Sequence, residues 1–263
     1  MDIDTLWNAG AAIAACVTAL WLVSIRLKDV SIVDIWWGPG FALIAWVVHA
    51  ATPEPSLRLS VAAAILTLWG ARLGLFLGQR NLGHGEDKRY VAIRGGSPHF
   101  WWTSLFKVFW LQGLLQIVVS TPVFAIQGTQ TAMGPADWLG ALIAFSGVAM
   151  EATADQQLKT FKADPANAKG VMRTGVWAWT RHPNYFGNAL IWLGIGLMAM
   201  TGGAPWWAFA GPSVMWFLLL RVSGVSMLER TITDRRPEYR AYIEEVPAFI
   251  PRWPKRSANQ QEG

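Results

Sequence analysis

Seven times in 263 residues the chain runs through an apolar stretch close to the ~20 residues that carry a helix across a bilayer. The stretches are 6–25, 32–49, 57–77, 101–126, 138–150 with a polar extension, 185–200 and 206–220. A chain that is 53% hydrophobic and 15% charged, with 17 Trp and a mean hydropathy of +0.29, is too apolar for a soluble core. The pattern predicts an all-α, polytopic membrane protein: one transmembrane domain over 1–263, with seven transmembrane helices and a C-terminal amphipathic helix. The closing residues, 257–263, read as a disordered tail.

The cations test that count. With seven crossings, 19 of the 22 Lys and Arg fall on one side, in the connections after the first, third and fifth runs and in the tail. Arg58 is left alone on the other side, while Arg72 and Lys107 lie inside runs. The positive-inside rule then puts the N-terminus outside and the C-terminus in the cytoplasm, as expected for a bacterial inner-membrane protein. The net charge of +5 is accounted for by topology and anionic lipid, and no nucleic-acid motif competes with that reading. A single cysteine, Cys16, excludes an intrachain disulfide and a cysteine-based metal site, and no metal is expected. The opening MDID is acidic where a signal peptide is basic, so the first run reads as part of the mature protein.

Ionisable groups at the ends of these runs carry the functional signal. Asp34 stands in the first turn of the second run, where an unpaired carboxylate is expensive. It either lines a cavity, caps the helix or pairs with Arg72. Pro39, flanked by Gly38 and Gly40, predicts a bend with room for a flat ligand or a neighbouring helix. Trp69 and Arg72 lie three apart on one face of the third run, where the arginine either snorkels or lines a water-accessible pocket. The following loop, GQRNLGHGEDKRYVAIRGG, holds Arg80, Arg89 and Arg94 but neither a Rossmann nor a P-loop signature. A bound nucleotide would need a different kind of site. Near 122, Pro122 is expected to kink the fourth run. Beyond the fifth run, Glu151, Asp155, Lys159 and Lys162 fall along one helical stripe, as self-satisfying ion pairs or as acceptors for ribose hydroxyls or a carboxamide.

The most informative stretch is GVMRTGVWAWTRHPNYFGNALIWLGIG, 170–196, which passes from cationic turn residues straight into an apolar run. Pro183 suits the first turn of a helix, whose free amides favour anions. Arg181, His182, Asn184 and Tyr185 therefore fall where water meets hydrocarbon, as a ligand site or as lipid-headgroup anchors. Further on, Arg221, Ser223, Glu229 and Arg230 lead into a basic helix, and 246–254 reads as an extended segment closing against the rest.

Taken together, RHPNYFGN, SIVDIWWG, GEDKRY and RRPEYRAYIEEVPAFIPRWP resemble the steroid 5-alpha-reductase-like family, and most closely its bacterial integral membrane branch. The resemblance runs over about 31–254, with its signature half at about 134–254. It implies an NADPH-dependent reduction of the double bond of a conjugated, lipid-like enone. Carried over, Asn184, Glu151 and Asp155 would contact the cofactor, with Tyr185 and His182 beside them. Arg181, Arg221, Arg230 and Lys162 would face its phosphates, and Arg72, Arg80 and Arg89 would close over it. Asp34 would polarise the substrate carbonyl, stabilising the enolate-like charge that hydride transfer creates. In that role it must stay protonated, which burial in an apolar run favours. Two catalytic positions depart from the family pattern: Asn188 stands where the steroid reductases carry a glutamate, and Trp69 where they carry a tyrosine. An indole cannot replace a phenol as a proton source, so the substrate is not expected to be a steroid.

Two other functions share these features. An S-adenosylmethionine-dependent enzyme of the isoprenylcysteine carboxyl methyltransferase type also uses an RHP helix entrance and a basic C-terminal helix. A non-catalytic membrane protein of the same fold is the other. The expected partners are the bilayer and a hydrophobic small molecule.

Overall fold

The computed structural model of the chain describes residues 2–222, 229, 232–233 and 236–254, and all the regular elements among them are helical. In order these are α1 (Ile3–Leu27), α2 (Ile32–Ala51), α3 (Leu57–Asn81), the short α4 (Lys88–Gly95) and α5 (Phe100–Val119). There follow α6 (Thr121–Gln127), α7 (Pro135–Ala163), α8 (Pro183–Thr201), α9 (Trp206–Val222) and α10 (Tyr239–Glu245). Four of them, α1, α2, α3 and α5, are long and apolar enough to cross a membrane, as an integral membrane protein requires; α9 is apolar but shorter. The expected run 101–126 is two helices. Pro122 does not kink a continuous span but stands in the first turn of α6, where its missing N–H costs nothing. Ser223 and Arg230, with the tail 257–263, lie outside the described residues.

The described residues divide into two compact units, 2–141 with 194–212, and 142–193 with those from 213 onward. In the first unit, α1 starts on an Asp2 cap whose carboxylate accepts from the amides of Asp4 and Thr5, and ends at Lys28 in the left-handed conformation. Packing between α2 and α3 is set by their glycines. A Cβ built on Gly38 would lie 2.8 Å from Gly70 Cα, and one on Gly74 2.9 Å from the Pro39 ring. The small residues around Pro39 thus receive a neighbouring helix. Trp69 is completely buried and packs against Phe41, ring centroids 5.6 Å apart.

Arg58, which the charge pattern isolates, is also completely buried. Its guanidinium grips Asp137 through Nε at 2.7 Å and Nη2 at 3.0 Å, and reaches the Thr129 hydroxyl and the Thr131 carbonyl. Asp137 in turn accepts from the Gly134 amide and the Thr201 hydroxyl. A buried charge is tolerable only when paired and hydrogen-bonded this fully.

In the second unit, α7 and α8 meet at Gly147 and Gly187, neither of which has room for a Cβ beside the other's backbone. Indole donors fasten the neighbouring segments: Trp216 to the Ala189 carbonyl and Trp177 to the Ala154 carbonyl. The segment 246–254 closes as expected. The Arg181 amide donates to the Pro247 carbonyl and the Arg252 amide to the Trp179 carbonyl, while the Thr180 hydroxyl donates to the carbonyls of Ala248 and Phe249. Helix α10 is two-faced, with Tyr239 and Tyr242 buried against Val171 and Ile232 and Arg240 exposed.

Candidate functional site

Two polar clusters are built into the two units. The one in the second unit lies along the α7–α8 contact. Glu151 and Asp155, one turn apart on α7, are 4% and 6% exposed. Facing them, Asn188 on α8 donates to Glu151 Oε2 at 3.4 Å and Asn184 to Asp155 Oδ1 at 3.4 Å. Both bonds are long, and the Asn188 side-chain oxygen is buried with no hydrogen-bond partner. Such a group costs free energy unless a ligand or water answers it.

The same helix start holds a second layer. Arg181 donates through Nε and Nη2 to the two carboxylate oxygens of Glu229, at 2.7 and 3.0 Å, and through Nη1 to the carbonyls of Ile243 and Val246. His182 Nε2 lies 3.0 Å from Glu229 Oε1, and its ring stacks on Tyr185. Burial pushes the Glu229 carboxyl up, but the hydrogen bonds and charges of His182 and Arg181 outweigh it and hold the group at about 2. Arg181 therefore ties the C-terminal segment to the entrance of α8. Glu229 was legible only as one of several charges in a basic stretch, since its partners are 47 and 48 residues away.

The cluster in the first unit joins α2, α4 and α5. Asp34 accepts from Arg89 Nη2 at 2.7 Å and from the Tyr90 hydroxyl at 2.8 Å, and Gln112 Nε2 donates to that hydroxyl at 3.2 Å. Neither group was the expected partner for Asp34. Asp87 caps α4 and binds Arg89 as well, while Glu86 accepts from the Val30 amide at 2.8 Å and from Arg94. Burial raises the Glu86 carboxyl, yet Arg94 and the Val30 amide hold it below the usual carboxylate range. Tyr90 is buried, and burial together with the Asp34 charge pushes its phenol far up, so that it stays a protonated donor. The GEDKRY string is thus a docked segment that delivers a phenol and a guanidinium to Asp34, where a charge run would ordinarily be solvated surface.

Trp69, Arg72, Arg80, Lys162 and Arg221, the other expected site residues, are also among the described residues. Trp69 is in the core of the first unit. On α3, Arg72 is half-buried and Arg80 exposed, the latter with its Nε on the Asn81 side chain. Lys162 and Arg221 are exposed at the ends of α7 and α9. Tyr90 and Gln112 were missed because nothing in their local sequence distinguishes a docked tyrosine from a loop tyrosine.

A family described as a protein of unknown function, DUF1295, matches residues 20–246. An uncharacterized protein of Schizosaccharomyces pombe, C594.04c, is 30% identical over 267 residues, which is 89% of this chain and 76% of the other. No solved structure matches. With the family match running from the first helix to the end of α10, the chain belongs to the DUF1295 family.

Proposed function

We propose that the protein is an NADPH-dependent membrane reductase acting on the double bond of a conjugated, lipid-like enone. The observation that carries this reading is the α7–α8 cluster, where two buried carboxylates and two amides line up in an apolar helix pair and one amide oxygen has no partner. Carboxylates accept from ribose hydroxyls, and an unpaired amide oxygen accepts from a carboxamide, so this donor and acceptor set fits a nicotinamide nucleotide. Glu151, Asp155, Asn184 and Asn188 would hold it, and the cationic side chains of Lys162 and Arg221 would face its phosphates. The cofactor supplies the hydride. This chain's own residues bind, orient and handle the proton. Charge that develops on a substrate carbonyl would be met by a hydrogen-bond donor.

In the membrane, the reading takes α7, α8 and α9 as three further crossings beside the four long helices. This gives seven, with the N-terminus outside and the C-terminus in the cytoplasm of a bacterial inner membrane.

Thermal unfolding of the purified protein in detergent tests the cofactor. NADPH is expected to raise the transition more than NADH or S-adenosylmethionine, and Asn188→Ala to abolish the rise. Stabilisation by S-adenosylmethionine alone would assign the cluster to methyl transfer instead, and no shift with any of the three would favour a non-catalytic protein.

A further inference from the structure

Lys107 stands about 10 Å along α5, a helix long and apolar enough to cross a membrane, and its side chain is exposed. Among the described residues it has no ion pair or hydrogen bond. Other cations of the long helices are placed differently: Arg58 is buried on Asp137, and Arg26 and Arg80 stand in the last turns of α1 and α3.

The surface that carries Lys107 is firmly built. Residues Leu105–Trp110 form a π-helical stretch, a wider turn that often marks functional positions. Trp102, Phe106 and Trp110, four residues apart and all exposed, make an edge-to-face ladder with ring centroids 6.4 and 5.4 Å apart. Helix α1 fastens this face at two points. The Trp110 indole donates to the Thr18 hydroxyl at 3.1 Å, and the Trp21 indole donates to the Trp101 carbonyl at 3.0 Å. Lys107 follows Phe106 directly and precedes Trp110 by three residues, and exposed Leu111 and Leu114 continue the face along the helix.

Charge selects the occupant. An ammonium on the hydrocarbon side of a spanning helix is costly unless it reaches water or an anion. A second copy of the chain offers no such anion. The four long helices carry two carboxylates, Asp4 and Asp34. Asp34 is taken by Arg89 and Tyr90. Asp4 lies at the far end, because Thr18 and Trp21 of α1 meet Trp110 and Trp101 of α5, which sets the two helices antiparallel. On α7, Asp137, Glu151 and Asp155 are buried. A lipid phosphate is an anion at the right depth, since a lysine can extend along its helix toward the headgroups. Beyond Lys107, the 12 residues to Val119 rise about 18 Å, enough to accompany an acyl chain through one leaflet of ~15 Å.

We propose that the exposed face of α5 around Lys107 is a binding site for an anionic phospholipid, with its phosphate on the Lys107 ammonium and one acyl chain along Trp110, Leu111 and Leu114. The site lies within the first unit and is independent of the reductase reading. It would retain a lipid whether or not the α7–α8 cluster binds a nucleotide.

Full-length protein in nanodiscs is photolabelled with a phosphatidylglycerol that carries a diazirine in its acyl chain, and the labelled peptides are mapped. Label is expected on 107–118, to saturate, and to be competed severalfold better by unlabelled phosphatidylglycerol than by phosphatidylcholine. Lys107→Gln should bring the two competitors level, and Lys107→Arg should keep the preference. Thermal unfolding in phosphatidylcholine nanodiscs identifies a variant that does not fold, in which case competition on the wild-type protein decides. Equal competition by phosphatidylcholine on the wild type, or a preference that survives in folded Lys107→Gln, would reduce the lysine to a contact with bulk headgroups and overturn the proposal. Loss of a dimer or of a bound protein in Lys107→Gln, with the lipid preference unchanged, would overturn it in favour of a protein interface.

Discussion

At the scale of single residues, the buried charges decide most. Glu229 is the counter-ion of a nearly buried Arg181 and touches His182, and its carboxyl sits at about 2 in the folded protein. That lies below the ~4.3 of an unfolded chain. The carboxylate therefore stabilises the fold fully above pH ~4.3, and the contribution drains away as pH falls toward 2. Glu229→Gln keeps the shape but loses the charge-assisted hydrogen bonds, and should cost roughly 1.5–3 kcal/mol at neutral pH. Unfolding transitions of the two proteins should converge as pH falls from about 5 toward 2; a constant gap across that range would show that the carboxylate is not the stabilising group. How far such residues are legible in sequence follows from the same physics. Asn188 is readable because it stands inside an apolar run, and Asn184, Glu151 and Asp155 because each stands at a helical spacing at the end of one, where a polar side chain has few reasons to be. Arg58 reads as an isolated loop cation, yet it is buried, because its partner Asp137 is 79 residues away.

At the scale of elements, helix existence is the most readable property and helix contact the least. Each of the seven apolar runs is helical in the structure, since hydrocarbon-length apolarity leaves little else. The break between α5 and α6 was visible as Pro122 but misread as a kink, because a proline can either bend a helix or begin one. Contacts depend on which glycine faces which helix. Gly70 and Gly78 lie on the same helix eight residues apart and read alike. The structure separates them: a Cβ on Gly70 would collide with the α2 backbone at Gly38 and Pro39, whereas one on Gly78 makes only ordinary contacts at 3.9 Å with Ile35 and Leu82. Gly70→Ala is expected to cost about 1–3 kcal/mol through overpacking. Gly78→Ala should be neutral or stabilising by up to about 1 kcal/mol, from the helix propensity of alanine over glycine. Thermal unfolding of both variants in the same detergent checks the pair, and equal losses would remove the α2–α3 contact from the account.

At the scale of the whole molecule, the distribution of cations carries information that no single helix does. Seven apolar runs, where each crosses, give an odd number of crossings, and an odd number places the termini on opposite sides. With that count, 19 of the 22 Lys and Arg gather in alternate connections, the bias expected where those connections share a side. A six-crossing arrangement would move the cations of the tail across from those of the loop after α3 and erase the bias. The first unit is consistent with this in composition. It holds buried Arg58 and Asp137 at one end of its helices and the Asp34, Arg89 and Tyr90 group at the other, so its two ends differ in chemistry as the two faces of a membrane do. The lone cysteine makes the topology measurable. In a Cys16→Ser background, Glu54→Cys and His84→Cys place thiols in the connections before and after α3. A membrane-impermeant maleimide added to intact cells should label Glu54→Cys and spare His84→Cys until the membrane is opened. A third thiol, at exposed Trp253→Cys near the C-terminus, should behave as His84→Cys does. If Trp253→Cys instead labels from outside while His84→Cys is protected, the chain crosses an even number of times. One of α7, α8 and α9 would then lie within the membrane without spanning it, and the exposed cations of α9 and the C-terminal segment would face away from any cytoplasmic nucleotide.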